Sequence, residues 1–305
     1  MLDSANRDWL VAHLNYTRHG TGQRIAYWKT LEGFAFLVEP AHEDAAIDLA
    51  AAALAIARTE YPSLDVPYYL SRLEDLSRRV RRRMRSSPTD REVIALLNRV
   101  LFDEEGLRGN RDDYYDPRNS FLNDVLDRKL GIPISLSVVY MDVARRVGFP
   151  IAGTGMPGHF LLRHNDVMEG EIIIDAFNRG RIVGNAECQE RLDEIYCGEI
   201  ELQPEFLQPV THREILTRML NNLRQIYFTQ RNFPKELATL DMLLVIPPRS
   251  PELLRERALV RLNLEHHLGA AHDLGTYLQL RPDAPDADDV GQTLDMLRQL
   301  LARLN

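Results

Sequence analysis

The residues best suited to chemistry lie between Asn119 and Cys197. His159 opens the run His159-Phe-Leu-Leu-Arg-His164, and Asp175 closes the run Glu171-Ile-Ile-Ile-Asp175. Both runs read as short strands, and Asn165 to Glu169 reads as the loop joining them in a hairpin. With that hairpin centred on Val167, His164 falls opposite Gly170 and His159 opposite Asp175. Cross-strand neighbours on one face have Cβ atoms about 4.5–5.5 Å apart, so imidazole and carboxylate would meet. A one-residue slip would send them to opposite faces. Such a pair is either a proton-handling couple or a buried histidine satisfied by its neighbour, and both readings stand at this point. His164 has the opposite parity and should face away, which argues against a metal site built from His159, His164 and Asp166. Pro157-Gly158 makes the tight turn that would deliver His159 to its strand. Nothing in the pattern implies a cofactor.

The element placed to carry a nucleophile is the stretch from Gly131 to Pro150. Ile134, Leu136, Val138, Val139, Met141, Val143, Ala144 and Val147 cover most of a helical wheel, as in a buried helix. Pro133 suits its first turn, where the missing N–H costs nothing. Gly148 and Pro150 end it, with Arg145 and Arg146 near its negative end. Ser135 and Ser137 are the hydroxyls nearest its head, and Ser135 lies in the first turn. A serine there is a far weaker acid than a thiol and needs an adjacent base. Cys188 and Cys197 form no CxxC or zinc pattern. Upstream, residues 106–120 are rich in Gly, Asn, Asp and Pro and read as a long loop. Loops of this kind are often functional, and this one carries Tyr114, Tyr115 and Asn119. Asn119 is equally a turn residue or a polar group lining a cleft. Ser120 is placed to cap a helix from Phe121 to Lys129.

The rest of the chain supplies scaffolding. Its 305 residues are enough for two ordinary domains, and 45% apolar with 27% charged residues is the composition of a soluble globular protein. A net charge of −8 argues against a general nucleic-acid binder. No apolar run approaches a membrane span, and the N-terminus lacks the apolar core of a signal peptide, so a cytoplasmic protein is expected. Residues 1–34, with Trp9, Leu10, Leu14, Tyr27 and Trp28 among Gly20, Gly22 and Gly33, read as an N-terminal extension. Helices are expected from Ala41 to Arg58, from Tyr68 to Met84, and after Pro88-Thr89-Asp90. The second ends in a basic run, Arg78 to Arg85, read as a solvated face or a docking patch for an acidic partner. From Thr211 the chain is helical again and repeats itself. Pro248 and Pro282 are 34 apart, as are Pro251 and Pro285, and Leu244 and Leu278. A 34-residue period of helix pairs is the tetratricopeptide signature.

Four segments then converge on one resemblance: Asn119-Ser-Phe-Leu-Asn, Arg128-Lys-Leu-Gly-Ile-Pro-Ile-Ser-Leu-Ser, Pro157-Gly-His-Phe-Leu-Leu-Arg and Ile174-Asp-Ala-Phe-Asn. Over residues 35–300 the chain resembles the bacterial SirB-one proteins, which pair a transglutaminase-like core with a tetratricopeptide-like C-terminal region. Similar domains occur in some eukaryotic F-box proteins. Enzymes of the superfamily work with a Cys at the head of the central helix, a His on a following strand as base, and an Asp or Asn on the next strand to orient it. The resemblance puts His159 in the His position and Asp175 in the Asp position. It puts the nucleophile slot at or beside Pro133, which has no nucleophile. Cys188 and Cys197 follow the His–Asp pair in sequence, so either would need a permuted arrangement.

The expected fold is therefore α+β: a helical N-terminal subdomain, a transglutaminase- or cysteine-protease-like core of a helix and an antiparallel sheet, and an α-helical tetratricopeptide-like region. The expected divisions are 1–34, 35–210 and 211–305. Two functions are in play. One is a non-catalytic module in which the old cleft, with Asn119, Tyr115 and Pro133 along it, binds a protein or peptide. The other is a hydrolase or acyltransferase with Ser135 as nucleophile, His159 as base and Asp175 as orienter.

Overall fold

The computed structural model describes residues 22–38, 43–166 and 170–304, so Trp9, Leu10, Leu14, Ala41 and the expected hairpin tip at Val167 lie outside the described residues. The chain divides into two compact units. One comprises 48–57 and 63–219; the other takes the chain up to 47, then 58–62 and 220–305.

In the first unit, α2 spans Leu49–Ala57. (The label α1 belongs to Gly22–Leu37 in the other unit.) The expected start at Ala41 gives way to Leu49 because Asp48 stops the helix there: its Oδ1 accepts the Ala51 N–H at 3.0 Å. Helix α3, Val66–Arg81, is capped by Asp65, has Pro67 in its first turn and buries Leu73, Leu76 and Val80. Helix α4, Asp90–Asn98, opens on a reciprocal Thr89–Glu92 capping box and runs into a π-helical turn, Arg99–Glu104. The basic run at the end of α3 is mostly answered at home: Arg79 and Arg83 by Glu104, Arg79 also by Glu105, and Arg85 by Glu92.

Two-residue strands β1, Arg108–Gly109, and β2, Leu130–Gly131, pair in parallel and pin the ends of the Gly- and Asp-rich segment. Between them lies α5, Leu122–Arg128. Its cap residue is Phe121, not Ser120, and Ser120 Oγ is buried without a hydrogen-bond partner. Helix α6, Pro133–Arg146, has twelve buried residues and packs against α2, α3, α4, α5 and the sheet. The sheet runs β3 (Ala152–Thr154), β4 (Leu161–Asp166), β5 (Gly170–Asp175), β6 (Arg181–Val183), antiparallel throughout. Helix α7, Asn185–Tyr196, lays Cys188 and Leu192 against Leu161 and Ile173 of one sheet face.

The β4–β5 register differs from the expected one. Leu162 pairs with Ile174, His164 with Ile172 and Asp166 with Gly170, a pairing moved by two residues from one centred on Val167. His159 accordingly lies in the turn ahead of β4 rather than in the ladder. The displacement is even, so parity is kept, and His159 and Asp175 stay on one side of the hairpin.

In the second unit, α1 runs unbroken through Gly33, burying Leu31, Phe34 and Ala35, and packs against α9, Phe233–Leu243. Helix α8, His212–Thr229, begins in the first unit and from residue 220 belongs to the second. Helices α10 (Pro251–Asn263), α11 (His267–Leu280) and α12 (Ala287–Leu304) complete the array. Helices α9 and α11 start 34 residues apart, at the period read from the sequence. Leu244, Leu254, Ala258, Leu274 and Tyr277 share its core. Inside the array Arg257, with none of its surface exposed, donates to Asp241 at 2.7 Å and to both oxygens of Asp273 at 2.7 and 2.9 Å.

Candidate functional site: a buried His–Asp pair

Each part of the site is held by a local feature of the sequence. Gly158 adopts φ +69°, and a Cβ there would come within 2.8 Å of Ile195, so conformation and space both call for glycine. The turn it makes sets His159 against the end of β5. Asp175 terminates that strand, and residue 178 folds back onto it: the Asn178 N–H donates to Oδ1 at 3.1 Å and Asn178 Nδ2 to Oδ2 at 2.7 Å. His159 Nε2 lies 3.0 Å from the same Oδ2. Arg111 donates to Asn178 Oδ1 and covers the Phe177 ring at 5.2 Å. Phe177 stands edge-on to the imidazole, with centroids 6.2 Å apart. It fits there because β1 offers it a glycine; a Cβ on Gly109 would be 2.5 Å from the ring.

The electrostatics fix the proton. Burial alone would raise the Asp175 pKa, but the hydrogen bond and charge of His159 and the two bonds from Asn178 outweigh it and hold the carboxyl below its ordinary range. Asp175 is thus an acceptor at neutral pH, and Nε2–H of His159 is the donor. That leaves Nδ1 as the nitrogen able to take a proton. Nδ1 is buried and, among the described residues, has no hydrogen-bond partner.

The serine and cysteine candidates are placed as follows. Ser135 is fully buried in the first turn of α6; its hydroxyl accepts the Ile132 N–H at 3.1 Å and donates to the Asn119 carbonyl at 2.6 Å. Ser137 is also fully buried, with Oγ unpartnered. Cys188 lines a cavity of about 190 Å³ together with His159, Asp175, Asn178, Arg181 and Arg191. Burial, then the charges of Asp175 and Glu187, push its thiol up to about 11, so it is protonated at neutral pH. Cys197 is exposed at the end of α7 in a left-handed conformation.

Pro133 is buried at the first position of α6. Tyr115 is exposed, while Tyr114 packs edge-on against Phe177. Asn119 is fully buried: its Nδ2 donates to the Asp113 and Tyr114 carbonyls at 2.7 and 3.2 Å, and its Oδ1 accepts from Asn110 at 3.0 Å. It organises the loop from within. His164 is turned away from His159, with Nε2 at 2.7 Å from Asp90 and Nδ1 at 2.7 Å from the Pro150 carbonyl. No metal-binding group of three or more His, Cys, Asp or Glu occurs among the described residues. No helix is long and apolar enough to cross a membrane among the same residues.

Three contributors went unnoticed in the sequence. Asn178 belongs to the quoted Asp-Ala-Phe-Asn segment, and its three-residue distance from Asp175 is a turn signal that could have found it. Arg111 sits in the loop already marked as functional. Arg218, which donates to the Met156 and His159 carbonyls at 2.9 and 2.7 Å, comes from α8 and left no local signal.

A buried His–Asp pair beside a helix-and-sheet core, followed by helix pairs at a 34-residue period, defines a transglutaminase-like protein with tetratricopeptide repeats. Residues 68–221 match the transglutaminase-like superfamily, and residues 223–295 match a tetratricopeptide repeat family. The chain is 40% identical over 258 residues to a UPF0162 protein of Xylella fastidiosa strain 9a5c, covering 83% of this chain and 92% of that one. It is 30% identical over 248 residues to the UPF0162 protein PA3419 of Pseudomonas aeruginosa, covering 81% and 89%. The chain belongs to the UPF0162 family. F-box only protein 21 of Mus musculus is 32% identical over 188 residues, 58% of this chain and 28% of that protein. No solved structure matches the chain.

Proposed function

We propose that the chain is a non-catalytic transglutaminase-like protein whose cleft beside His159 binds a protein or peptide, with the His–Asp pair serving as architecture. The observation that carries this reading is the buried, unpartnered Nδ1 of His159. In a nucleophile–base–orienter arrangement that nitrogen faces the nucleophile. Here the orienter side is complete and the nucleophile side is empty of any bonded hydroxyl or thiol. The Ser135 proton is held by the Asn119 carbonyl, and the Cys188 thiol keeps its proton. The cavity beside His159 and the repeat array provide two surfaces of the kind that take peptides.

The test has two arms. The full chain is treated with a serine-directed fluorophosphonate and with a thiol-directed electrophile, alongside the His159→Ala variant. It is then titrated with a peptide mixture while the His159 ring signals are followed by NMR. No His159-dependent labelling, together with peptide-induced shifts at His159, is expected. Labelling of Ser135 or Cys188 that disappears in His159→Ala would overturn the reading in favour of a hydrolase or acyltransferase.

A further inference from the structure

Arg218 is a cation without an anion. Its Nη2 makes both of its hydrogen bonds, to the Met156 and His159 carbonyls, and its Cζ lies 5.4 Å from the Phe160 ring centroid. Among the described residues no carboxylate pairs with it, and Nη1 and Nε carry no bond. Burial drives its pKa down, opposed only by the hydroxyls of Tyr114 and Tyr196. A half-buried guanidinium held in place by two carbonyls, with N–H groups left over, gains when an anion arrives.

Arg191 supplies the second half. It lines the His159 cavity, gives Nη1 to Glu194 at 2.7 Å, and keeps Nε buried with no partner. Tyr114 lies within electrostatic reach of both arginines. Arg218 is fixed on the backbone of His159 and keeps Nη1 and Nε unused, and the planar fork of a guanidinium is the geometry that grips a carboxylate. Acidic side chains also line the cavity, but Asp175 is paired with His159, Glu187 with Arg181 and Glu194 with Arg191, which leaves Glu190 at its exposed rim.

We propose that Arg218, with Arg191 and Tyr114, is a carboxylate-binding subsite next to the His159 cavity, and that its ligand is a peptide presenting a free carboxylate. This assignment rests on the binding reading above and names the chemistry of the ligand.

The experiment uses the full chain labelled with 15N-arginine, the Arg218 Nε–H signal being assigned with Arg218→Lys. It is titrated with acetylated hexapeptides bearing free C-termini, with the same mixture amidated, with the amidated mixture carrying an internal glutamate, and with inorganic phosphate. Peptides bearing either carboxylate should shift Arg218 Nε–H, and the plain amides should not. The two acid-bearing mixtures tell a C-terminal carboxylate from a side-chain one. Arg218→Lys keeps the charge but loses the fork, and should bind about tenfold more weakly. Arg191→Gln, which touches neither carbonyl, should weaken binding several-fold and keeps the test decisive if variants at 218 fail to fold. Equal response to acid and amide, or full affinity in Arg191→Gln and Arg218→Lys, overturns the subsite. Phosphate acting as strongly as the peptides would overturn the peptide assignment. Peptides that move His159 but not Arg218 would sink the subsite and leave the cleft reading standing; peptides that move neither would sink both.

Discussion

Asp175→Ala should destabilise the sheet more than His159→Ala, and the hydrogen bonds give the margin. Asp175 is the hub: it accepts from His159 Nε2, Asn178 Nδ2 and the Asn178 N–H. Removing it strands all three donors. Water can reach the half-buried Asn178, but His159, at 2% exposure, would have both ring nitrogens unsatisfied. A buried polar group left without a partner costs about 1–3 kcal/mol, more where charge is involved, so the loss should be about 3–5 kcal/mol. His159→Ala removes one bond to a charged group, about 1.5–3 kcal/mol, and part of a ring's packing. It leaves Asp175 with both Asn178 bonds and also eliminates the stranded Nδ1, so the net should be about 2 kcal/mol. The double variant should fall short of the summed singles, because it removes both ends of one bond. Native-state hydrogen exchange at the amides of β4 and β5 reads the local free energy and avoids a two-state assumption for a two-unit chain. A stabilised His159→Ala would refute the reasoning. That is the behaviour of a base kept in place for chemistry at the expense of stability. Equal losses in the two single variants would also refute it.

The same pair sets an acid limit. The Asp175 pKa is lower folded than unfolded, so its contribution is present above the unfolded value near pH 4 and is lost as pH falls through the folded value. Asp175→Asn should therefore flatten the stability profile below about pH 4, measured by urea titration with fluorescence or circular dichroism; an unchanged acid limb would contradict it. Iodoacetamide at pH 7.5 should alkylate the exposed Cys197 and spare the buried, protonated Cys188 until the chain unfolds, as read by intact mass and peptide mapping. In the repeat array, Arg257→Leu removes the shared partner of Asp241 and Asp273 and should cost about 3–5 kcal/mol, seen as early unfolding of α9 to α11 in hydrogen exchange. Wild-type protection there would mean that the ion network adds nothing.

The sequence carried the elements further than the contacts. Period and punctuation placed α6 between Pro133 and Gly148, because an almost wholly apolar wheel permits little else. The 34-residue recurrence of prolines and leucines located the helix pairs. Helix starts were less legible: Asp48 ends the alanine-rich pattern by capping, a side-chain choice that composition does not expose. Ser120 looked like a cap and is a buried hydroxyl, because the adjacent 3-10 turn Pro117–Asn119 already turns the chain. The hairpin register was off by two residues, and the pair His159–Asp175 survived since two is the period of a strand. Arg218 could not be seen at all. It lies 59 residues from His159, and nothing local to α8 marks which of its arginines reaches the His159 backbone.

The head of α6 and the imidazole of His159 are held by separate sets of contacts. A helix N-terminus activates a thiol or hydroxyl only if its N–H groups and dipole are open to the cleft. Here Pro133 removes one N–H, Ser135 accepts the Ile132 N–H, and Gly131 through Leu136 are all buried. Gly131 seals the turn: a Cβ there would stand 2.9 Å from Ser135 Oγ. No described hydrogen bond ties the head of the helix to His159. The imidazole is held instead by groups of its own neighbourhood, Asp175 on one side and the Phe177 ring on the other, which are indifferent to what stands at position 133. A pocket arranged this way keeps its shape whatever side chain stands at position 133. On the reading proposed above, a Pro133→Cys variant should therefore show no His159-dependent labelling by a thiol-directed electrophile.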